Sequence, residues 1–153
     1  MPISLRELTP AEMPAIYPLI HQLNPWMGKA QFTRSLKAML PLGYRVLAAF
    51  DGRQLVGCAG FWVGMRFWCG KQFDIDNVIV DETCRKRGIG KKMSVWLEKK
   101  AAELGCDLMV LDSYAGSAHA HRFYMQQGFA LTGYHFTKMP GDTPLGKLPF
   151  RKD

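Results

Sequence analysis

The most informative segment of this chain is Val80-Asp81-Glu82-Thr83-Cys84-Arg85-Lys86-Arg87-Gly88-Ile89-Gly90. An apolar, alternating run precedes this stretch, and a long helical pattern follows it. The glycines let the backbone turn and approach a ligand closely. The first turn of a helix offers free N–H groups and a partial positive charge, both of which favour phosphate oxygens. Five cationic residues surround the turn: Arg85, Lys86, Arg87, Lys91 and Lys92. The stretch therefore predicts a site for a diphosphate.

Two familiar phosphate-binding patterns do not fit this turn. A Walker loop requires Gly-Lys-Ser/Thr, which is missing, and a dinucleotide fingerprint requires a third glycine and a preceding strand–helix–strand unit. Taken alone, the turn is also compatible with an ordinary strand-to-helix connection that has basic flanks and no ligand.

The residues before the turn predict a strand, two helices and three further strands. Their expected bounds are 3–8, about 10–24, about 29–40, 44–50, 54–68 and 71–80. Pro14 and Pro18 lie inside the first helix and each removes a backbone donor, so we expect that helix to be distorted. Reversals at 51–52 and 69–70 would make the three strands an antiparallel meander. Glycines in the middle strand allow bulges.

The spacing of apolar residues changes after the turn, from the alternation of a strand to the period of a helix. Apolar residues on one side of 88–104 predict an amphipathic helix, and 107–112 predicts a buried strand. A short helix over 118–127, capped by Ser117, and a last alternating strand over 129–138 complete the pattern. The order β-α-α-β-β-β-α-β-α-β predicts an α/β (α+β) fold with a mixed, mostly antiparallel six-stranded sheet and about four helices. A helical crossover within 71–112 favours one parallel strand pair.

Length and composition limit the protein class. A chain of 153 residues favours one domain over 1–153, with 139–153 as a loop-like tail. The formal charge of +7 suits a phosphorylated cofactor, an acidic surface or nucleic acid without choosing among them. Cysteines 58, 69, 84 and 106 lack the spacing of a metal site, so we expect no metal. No stretch has the length of a membrane span and no signal peptide is recognisable, so we expect no membrane partner and a cytoplasmic location.

Two motifs in the correct order carry a family resemblance. The first begins at Arg85 and resembles the pattern Arg/Gln-x-x-Gly-x-Gly/Ala. The second is Ala120-His121-Arg122-Phe123-Tyr124, followed by Gly128-Phe129. Together with the order of elements, they resemble the GNAT superfamily of N-acetyltransferases, which use acetyl-CoA. The resemblance covers about residues 3–138 and implies transfer of an acetyl group to an amine.

The resemblance also implies the residues that hold the coenzyme. The strand before the signature would bind the pantetheine arm, the signature amides would hold the pyrophosphate, and Ser117 stands where many members have an Asn. The implied set is Val78, Ile79, Val80, Arg85, Lys86, Arg87, Gly88, Ile89, Gly90, Lys91 and Ser117. Tyr124 occupies the position of the tyrosine that commonly protonates the departing thiolate.

Acetyl transfer also needs a base and donors for the thioester oxygen. Backbone N–H groups at a bulge near Asn77 and Val78 would serve the oxygen. Asp76 is the first candidate for the base, Asp112 the second and Asp74 the third; solvated strand-end acids are the alternative for each. Asp74 and Asp76 are two residues apart, so they share one face of their strand. His119 is expected to face solvent. His121 precedes Tyr124 by three residues, which could place it at the cleft, and is expected to be structural.

The amine pocket is expected between the first two helices. Trp26 places an aromatic ring on their connection, and Trp62, Phe67 and Trp68 add rings along the meander. Such rings can hold the body or the charge of an amine. Core packing or a homodimer contact explains the aromatic residues equally well.

Two alternatives of different classes stay open. A sensor or degenerate enzyme would bind coenzyme A without turnover, whereas Tyr124 and the acids argue mildly for catalysis. A basic nucleic-acid-binding domain would spread its cations over a face with interleaved aromatic residues, whereas these cluster at one helix start and in the tail, which argues against it.

Overall fold

A computed structural model describes residues 2–141, which form parts of two compact units, residues 1–111 and 112–153. The described part of the first unit contains five strands and three α-helices. They are β1 (Ile3–Glu7), α1 (Tyr17–Leu23), α2 (Lys29–Met39), β2 (Arg45–Asp51), β3 (Gln54–Arg66), β4 (Gly70–Val80), α3 (Ile89–Glu103) and β5 (Leu108–Leu111). The second unit contains α4 (Ala118–Gln126). The single domain over 1–153 stays a prediction.

The five strands form one sheet in the order β1-β2-β3-β4-β5. The first four pair antiparallel, which confirms the predicted meander. β4 and β5 pair in parallel, with Gln72 opposite Leu108 and Ile75 opposite Leu111. A parallel pair requires a crossover, and α3 provides it. The mixed, mostly antiparallel α+β architecture is therefore confirmed.

The predicted sixth strand, over 129–138, is wrong. The structure assigns no strand to residues 129–141. Apolar residues occupy odd positions at Phe129 and Leu131 but even positions at Tyr134 and Phe136, so no single face of a strand would collect them. Leu131, Tyr134 and Phe136 are 71%, 83% and 91% exposed. The sheet of the described residues thus has five strands. The predicted tail is irregular at 139–141, and its remainder, 142–153, lies outside the described residues.

The first helical region is distorted, as its prolines predict. A short 3-10 helix, Met13–Ile16, carries Pro14 and is followed by the seven residues of α1, which carries Pro18. Before them the Glu12 carboxylate accepts hydrogen bonds from the Thr9 backbone N–H at 2.9 Å and from the Thr9 hydroxyl at 3.1 Å. Each proline lacks an N–H, so a single regular helix over this region would lose two backbone bonds.

Two apolar layers cover the sheet. On the face here called the α1 face, Val46, Ala48, Cys58 and Ile79 pack with buried residues of the helices, which include Ile16, Leu19, Phe32 and Leu36. The opposite face packs against α3, whose buried residues are Ile89, Met93, Leu97 and Ala101. A Cβ on Gly57 would lie 3.1 Å from Met93 Sδ, so the missing side chain lets α3 approach β3 closely.

Candidate functional site

β4 contains a bulge near its carboxyl end. The register of β3 against β4 shifts between Cys58 and Gly60, where two residues of β4, Asn77 and Val78, stand opposite one residue of β3. Asn77 has φ of 52°, in the left-handed region that asparagine tolerates better than most residues. A bulge therefore lies where the sequence predicted one.

The bulge changes the edge to which the main-chain groups of β4 point. Beyond it, the Asp81 N–H donates to the Val56 carbonyl of the strand β3 at 2.8 Å. Because main-chain groups alternate between the two edges of a strand, those of Ile79 also face β3, whereas those of Val78 and Val80 face the other edge. Among the three predicted β4 residues, Val78 and Val80 thus offer main-chain groups on that edge.

That edge of β4 is open beyond the short parallel strand. Pairing with β5 ends at Ile75 opposite Leu111, while β4 continues to Val80. No strand in the described part of the first unit pairs with 76–80 on this edge. Free N–H and C=O groups on a strand edge can bind an extended amide chain, which is the chemistry of a pantetheine arm.

Tyr44 fixes the side chain of the bulged asparagine. The Asn77 amide nitrogen Nδ2 donates to the Tyr44 hydroxyl at 3.3 Å. A Cβ on Gly60 would overlap that hydroxyl, so only a glycine leaves room for the ring. Burial raises the pKa of the Tyr44 phenol, which stays neutral. Sequence reasoning missed Tyr44, because no local pattern links residues 33 positions apart.

Gln22 of α1 anchors the connection between β4 and α3. Its amide Nε2 donates to Asp81 Oδ2 at 3.2 Å, and its Oε1 accepts from the Glu82 backbone N–H at 3.2 Å. The other carboxylate oxygen of Asp81 accepts from the Thr83 N–H at 2.9 Å and the Thr83 hydroxyl at 2.6 Å, which lower the pKa of Asp81. These bonds fix the chain immediately before the signature loop.

The signature loop ends in an uncapped helix start. Lys86 has φ of 65° and Gly88 has φ of 73°, so two residues before α3 have left-handed backbone conformations. No side chain caps α3, and its first helical bond runs from the Lys92 N–H to the Gly88 carbonyl. The N–H groups of 89–91 therefore precede the helical bonding pattern, as a phosphate site requires. The Ile89 side chain is buried, so only its main chain is available to a ligand.

The cations of the loop differ in their surroundings. Arg87 forms an ion pair of 2.8 Å with Asp51 at the β2–β3 turn, and this contact lowers the pKa of the Asp51 carboxyl. Arg85 Nε lies 3.5 Å from the Val80 carbonyl oxygen. Lys86 and Lys91 are exposed. Arg87 therefore ties the loop to the sheet, while the lysines add charge around the helix start.

The acids of β4 lie on the α1 face. Asp74 pairs with Trp62 and Asp76 with Gly60, which places both on one face, as their spacing predicted. The Trp62 ring packs against Tyr44 at 5.1 Å between centroids. A cavity of about 330 Å³ lies at Trp62 and Asp74, and its other lining residues are Val63, Gly64, Arg66 and Gln72. The cavity thus combines an aromatic wall with groups of both charges.

Other aromatic candidates lie at the surface. Trp26 is 42% exposed in the connection between α1 and α2, where the Met27 carbonyl contacts His21 Nδ1 at 2.9 Å. Phe67 and Trp68 are exposed in the β3–β4 turn. Core packing therefore does not account for Phe67 or Trp68.

The second unit carries the tyrosine of the second motif. The Tyr124 ring contacts Phe123 at 5.4 Å and Phe129 at 6.0 Å between centroids. Burial raises the pKa of its phenol, so the hydroxyl keeps its proton at neutral pH. Ser117 stands at the N-cap position of α4, but its side chain makes no capping bond, contrary to the prediction.

Two further candidates of this unit have local partners. His121 Nε2 lies 2.9 Å from the Tyr114 carbonyl oxygen, a contact that fits the expected structural role. Asp112 Oδ1 lies 3.4 Å from His135 Nδ1, and both side chains are largely exposed. His119 is exposed.

The part of the chain that the structure describes contains neither a candidate metal-holding cluster nor a membrane-spanning helix. Residues 2–141 contain no group of three or more His, Cys, Asp or Glu side chains placed to hold a metal ion. None of the helices within this range is long and apolar enough to cross a membrane.

Comparisons with known proteins identify the family of this chain. Residues 6–129 match the acetyltransferase (GNAT) family. The chain is 31% identical over 71 residues to the aminoalkylphosphonate N-acetyltransferase of Salmonella typhimurium (strain LT2), a match that covers 46% of this chain and 44% of that protein. It is 24% identical over 139 residues to an uncharacterized N-acetyltransferase of Bacillus subtilis (strain 168), YhdJ, covering 89% and 98% of the two chains.

A solved structure supports the same fold. An aminoglycoside N-acetyltransferase in complex with CoA superposes with a TM-score of 0.79 and 15% identity, over 90% of this chain and 94% of that one. The family match spans both sequence motifs, from the open β4 edge and the uncapped start of α3 to Tyr124. The chain therefore belongs to the GNAT family of acetyltransferases.

Proposed function

We propose that this chain moves an acetyl group from acetyl-CoA to a primary amine by direct attack within a ternary complex. The observation that carries the proposal is the uncapped start of α3 behind a loop with two left-handed residues, Lys86 and Gly88. Free amides and a positive helix end suit the diphosphate of coenzyme A. The open edge of β4 lies directly before this loop in the chain and suits the pantetheine arm.

Acetyl-CoA supplies the acetyl group as a thioester, and the chain holds and orients it. The residues proposed to contact the coenzyme are Val78, Val80, Arg85, Lys86, Arg87, Gly88, Ile89, Gly90, Lys91 and Ser117. Ile79 is left out because its main chain faces β3 and its side chain is buried. Main-chain groups of Val78 and Val80 serve the arm, and the amides of 89–91 serve the diphosphate. Lys86 and Lys91 contribute charge at the surface.

Two groups of this chain are proposed to move protons, and a third is proposed to donate a hydrogen bond. Asp76 takes a proton from the amine, because a neutral nitrogen is needed for attack. The Val78 N–H at the bulge donates to the thioester oxygen as negative charge builds there. Tyr124 gives its phenolic proton to the sulfur when the carbon–sulfur bond breaks. Asp112 and Asp74 are the second and third candidates for the base.

The acceptor is proposed to be a small amine. The curated relative from Salmonella acts, by its name, on aminoalkylphosphonates, which are small amines. The cavity of about 330 Å³ beside Asp74 suits an acceptor of that size. Trp26 is proposed to contact the acceptor from the connection between α1 and α2.

An acetyl-CoA consumption screen tests the proposal. Alkylamines, aminoalkylphosphonates, amino sugars, polyamines and lysine peptides are offered in turn, while CoA release and acetylated product are measured together. We expect equimolar CoA and acetylamine with at least one class, and slower turnover with unchanged acetyl-CoA affinity in Asp76→Asn. Binding of CoA without transfer to any amine would favour a sensor instead. Failure to bind any CoA species would refute the site.

A further inference from the structure

The cavity on the β3–β4 hairpin is polar at the end near the turn. Its lining includes Arg66 and Gln72, and Gln72 is only 9% exposed. Gln72 Oε1 accepts a hydrogen bond from Cys69 Sγ at 3.6 Å. A ligand that is apolar at this end would remove water from these groups without replacing its hydrogen bonds. The wall therefore favours an acceptor with a polar group there.

Arg66 is exposed at the wall of this cavity and folds back over Gly64. Its Nη1 lies 3.3 Å from the position that a Cβ on Gly64 would take, so the side chain runs over Gly64 along β3. The same nitrogen donates to the Met65 carbonyl at 3.1 Å. A guanidinium carries five N–H donors, and this bond uses one of them. The missing side chain at residue 64 leaves room for the guanidinium at the cavity wall.

The pairing of the two strands gives the distance from this cation to the proposed base. Gly64 pairs with Gln72, and Asp76 lies four residues further along β4. At about 3.3 Å per residue, these positions are about 13 Å apart along the strand. An amine beside Asp76 would therefore need an extended body to place a second group at Arg66.

We propose that Arg66 binds an anionic group at the far end of the acceptor, a proposal that rests on the proposed function. The substrate class is then an extended zwitterionic primary amine that carries a carboxylate, phosphonate or phosphate. A guanidinium binds such groups through two parallel hydrogen bonds, which a lysine cannot reproduce. The Trp62 ring supports the apolar body between the two charged ends.

Matched acceptors test this assignment. ω-Aminooctanoate and octylamine have equal chain lengths and differ in the terminal anion, and ω-aminooctylphosphonate separates phosphonate from carboxylate. We expect the wild-type protein to prefer the anionic acceptors. Arg66→Gln should raise their KM about tenfold, equivalent to about 1.4 kcal/mol, and leave the KM of octylamine and acetyl-CoA unchanged. Arg66→Lys should restore part of the preference, because it keeps the charge without the two-pronged geometry.

The control for overall charge is Arg34→Gln, which removes an exposed guanidinium from α2. This variant should change neither the KM of ω-aminooctanoate nor the KM of octylamine. Short acceptors, β-alanine and propylamine, should not depend on Arg66, because they do not reach it from Asp76. An equal rise in KM for octylamine, or no wild-type preference, would overturn the proposal. If the protein binds CoA but acetylates no amine, the proposed function fails. Calorimetric titration of ω-aminooctanoate into the wild-type protein and into Arg66→Gln then still decides whether Arg66 binds the anion.

Discussion

Replacing Gly88 by alanine tests whether the left-handed turn before α3 holds the coenzyme. Gly88 has φ of 73°, and an added Cβ would meet no heavy atom within 4 Å. The cost of the substitution therefore comes from the backbone alone. A left-handed conformation costs an L-residue about 1–2 kcal/mol relative to the right-handed one. Residues 85–88 are exposed, so the backbone around Gly88 can relax and escape that cost while the Arg87–Asp51 ion pair still holds the loop near the sheet.

A loop that has relaxed must return to the left-handed conformation to bind. We therefore expect Gly88→Ala to weaken acetyl-CoA binding by about 5- to 30-fold, which is the same 1–2 kcal/mol expressed as an equilibrium ratio. Thermal unfolding should change little, because the strain is relieved in the free protein. Isothermal titration with acetyl-CoA and a thermal scan of the same samples measure the two quantities.

The chain contains a matched control at the other end of the same helix. Gly105 follows α3 with φ of 67°, and an added Cβ there also meets nothing within 4 Å. Gly105→Ala should lower the melting temperature by about 2–8 °C for a strain of about 1–2 kcal/mol, with acetyl-CoA affinity unchanged. Wild-type affinity in Gly88→Ala would refute the reasoning, as would an equal loss of affinity in both variants.

Tyr124→Phe should lower turnover by about 100-fold or more, because the departing thiolate loses its proton donor, and acetyl-CoA affinity should not change. Single-turnover kinetics measure the rate, and an unaltered rate would remove Tyr124 from the mechanism. Tyr44→Phe removes the hydrogen bond to Asn77 and keeps the ring, so it should lower the free energy of unfolding by about 1 kcal/mol and the melting temperature by about 2–4 °C. An unchanged melting temperature in a thermal scan would mean that this hydrogen bond does not stabilise the fold. Arg6 and Thr9 lower the Glu12 pKa from 4.5 to about 2, so its stabilising effect is complete above the unfolded pKa and is lost as pH falls towards 2. In acid denaturation, Glu12→Gln should show a flatter loss of stability over that range, whereas an identical profile would contradict the linkage.

The helices were predictable because their signals are local. The helical spacing of apolar residues in 88–104 predicted α3, and the residues that it buries, Ile89, Met93, Leu97 and Ala101, follow that spacing. Pro14 and Pro18 predicted the distortion before and within α1, because each proline lacks the N–H that a regular helix would bond to the carbonyl four residues earlier. The predicted strand over 129–138 is wrong because the alternation of apolar residues shifts phase at Gly133, so the two halves of the segment would bury opposite faces.

The candidate site also has one part that local sequence signals predicted and another part that depends on contacts between distant residues. The signature loop was recognisable because two glycines, a helix start and several cations are neighbours in the chain. The Gln22–Asp81 and Tyr44–Asn77 contacts join residues far apart in sequence, so no local pattern contains them. Asparagine at residue 77 was the one available signal, since this residue type tolerates a left-handed backbone.

Helix starts, glycine turns and the cluster of positive charge were predictable from the sequence, because each depends on residues within a few positions of one another. The open strand edge, the face of the sheet that carries the β4 acids and the position of Arg66 over Gly64 required the folded structure. Those features depend on how strands pair and pack, and pairing brings together residues whose separation along the chain leaves no periodic trace.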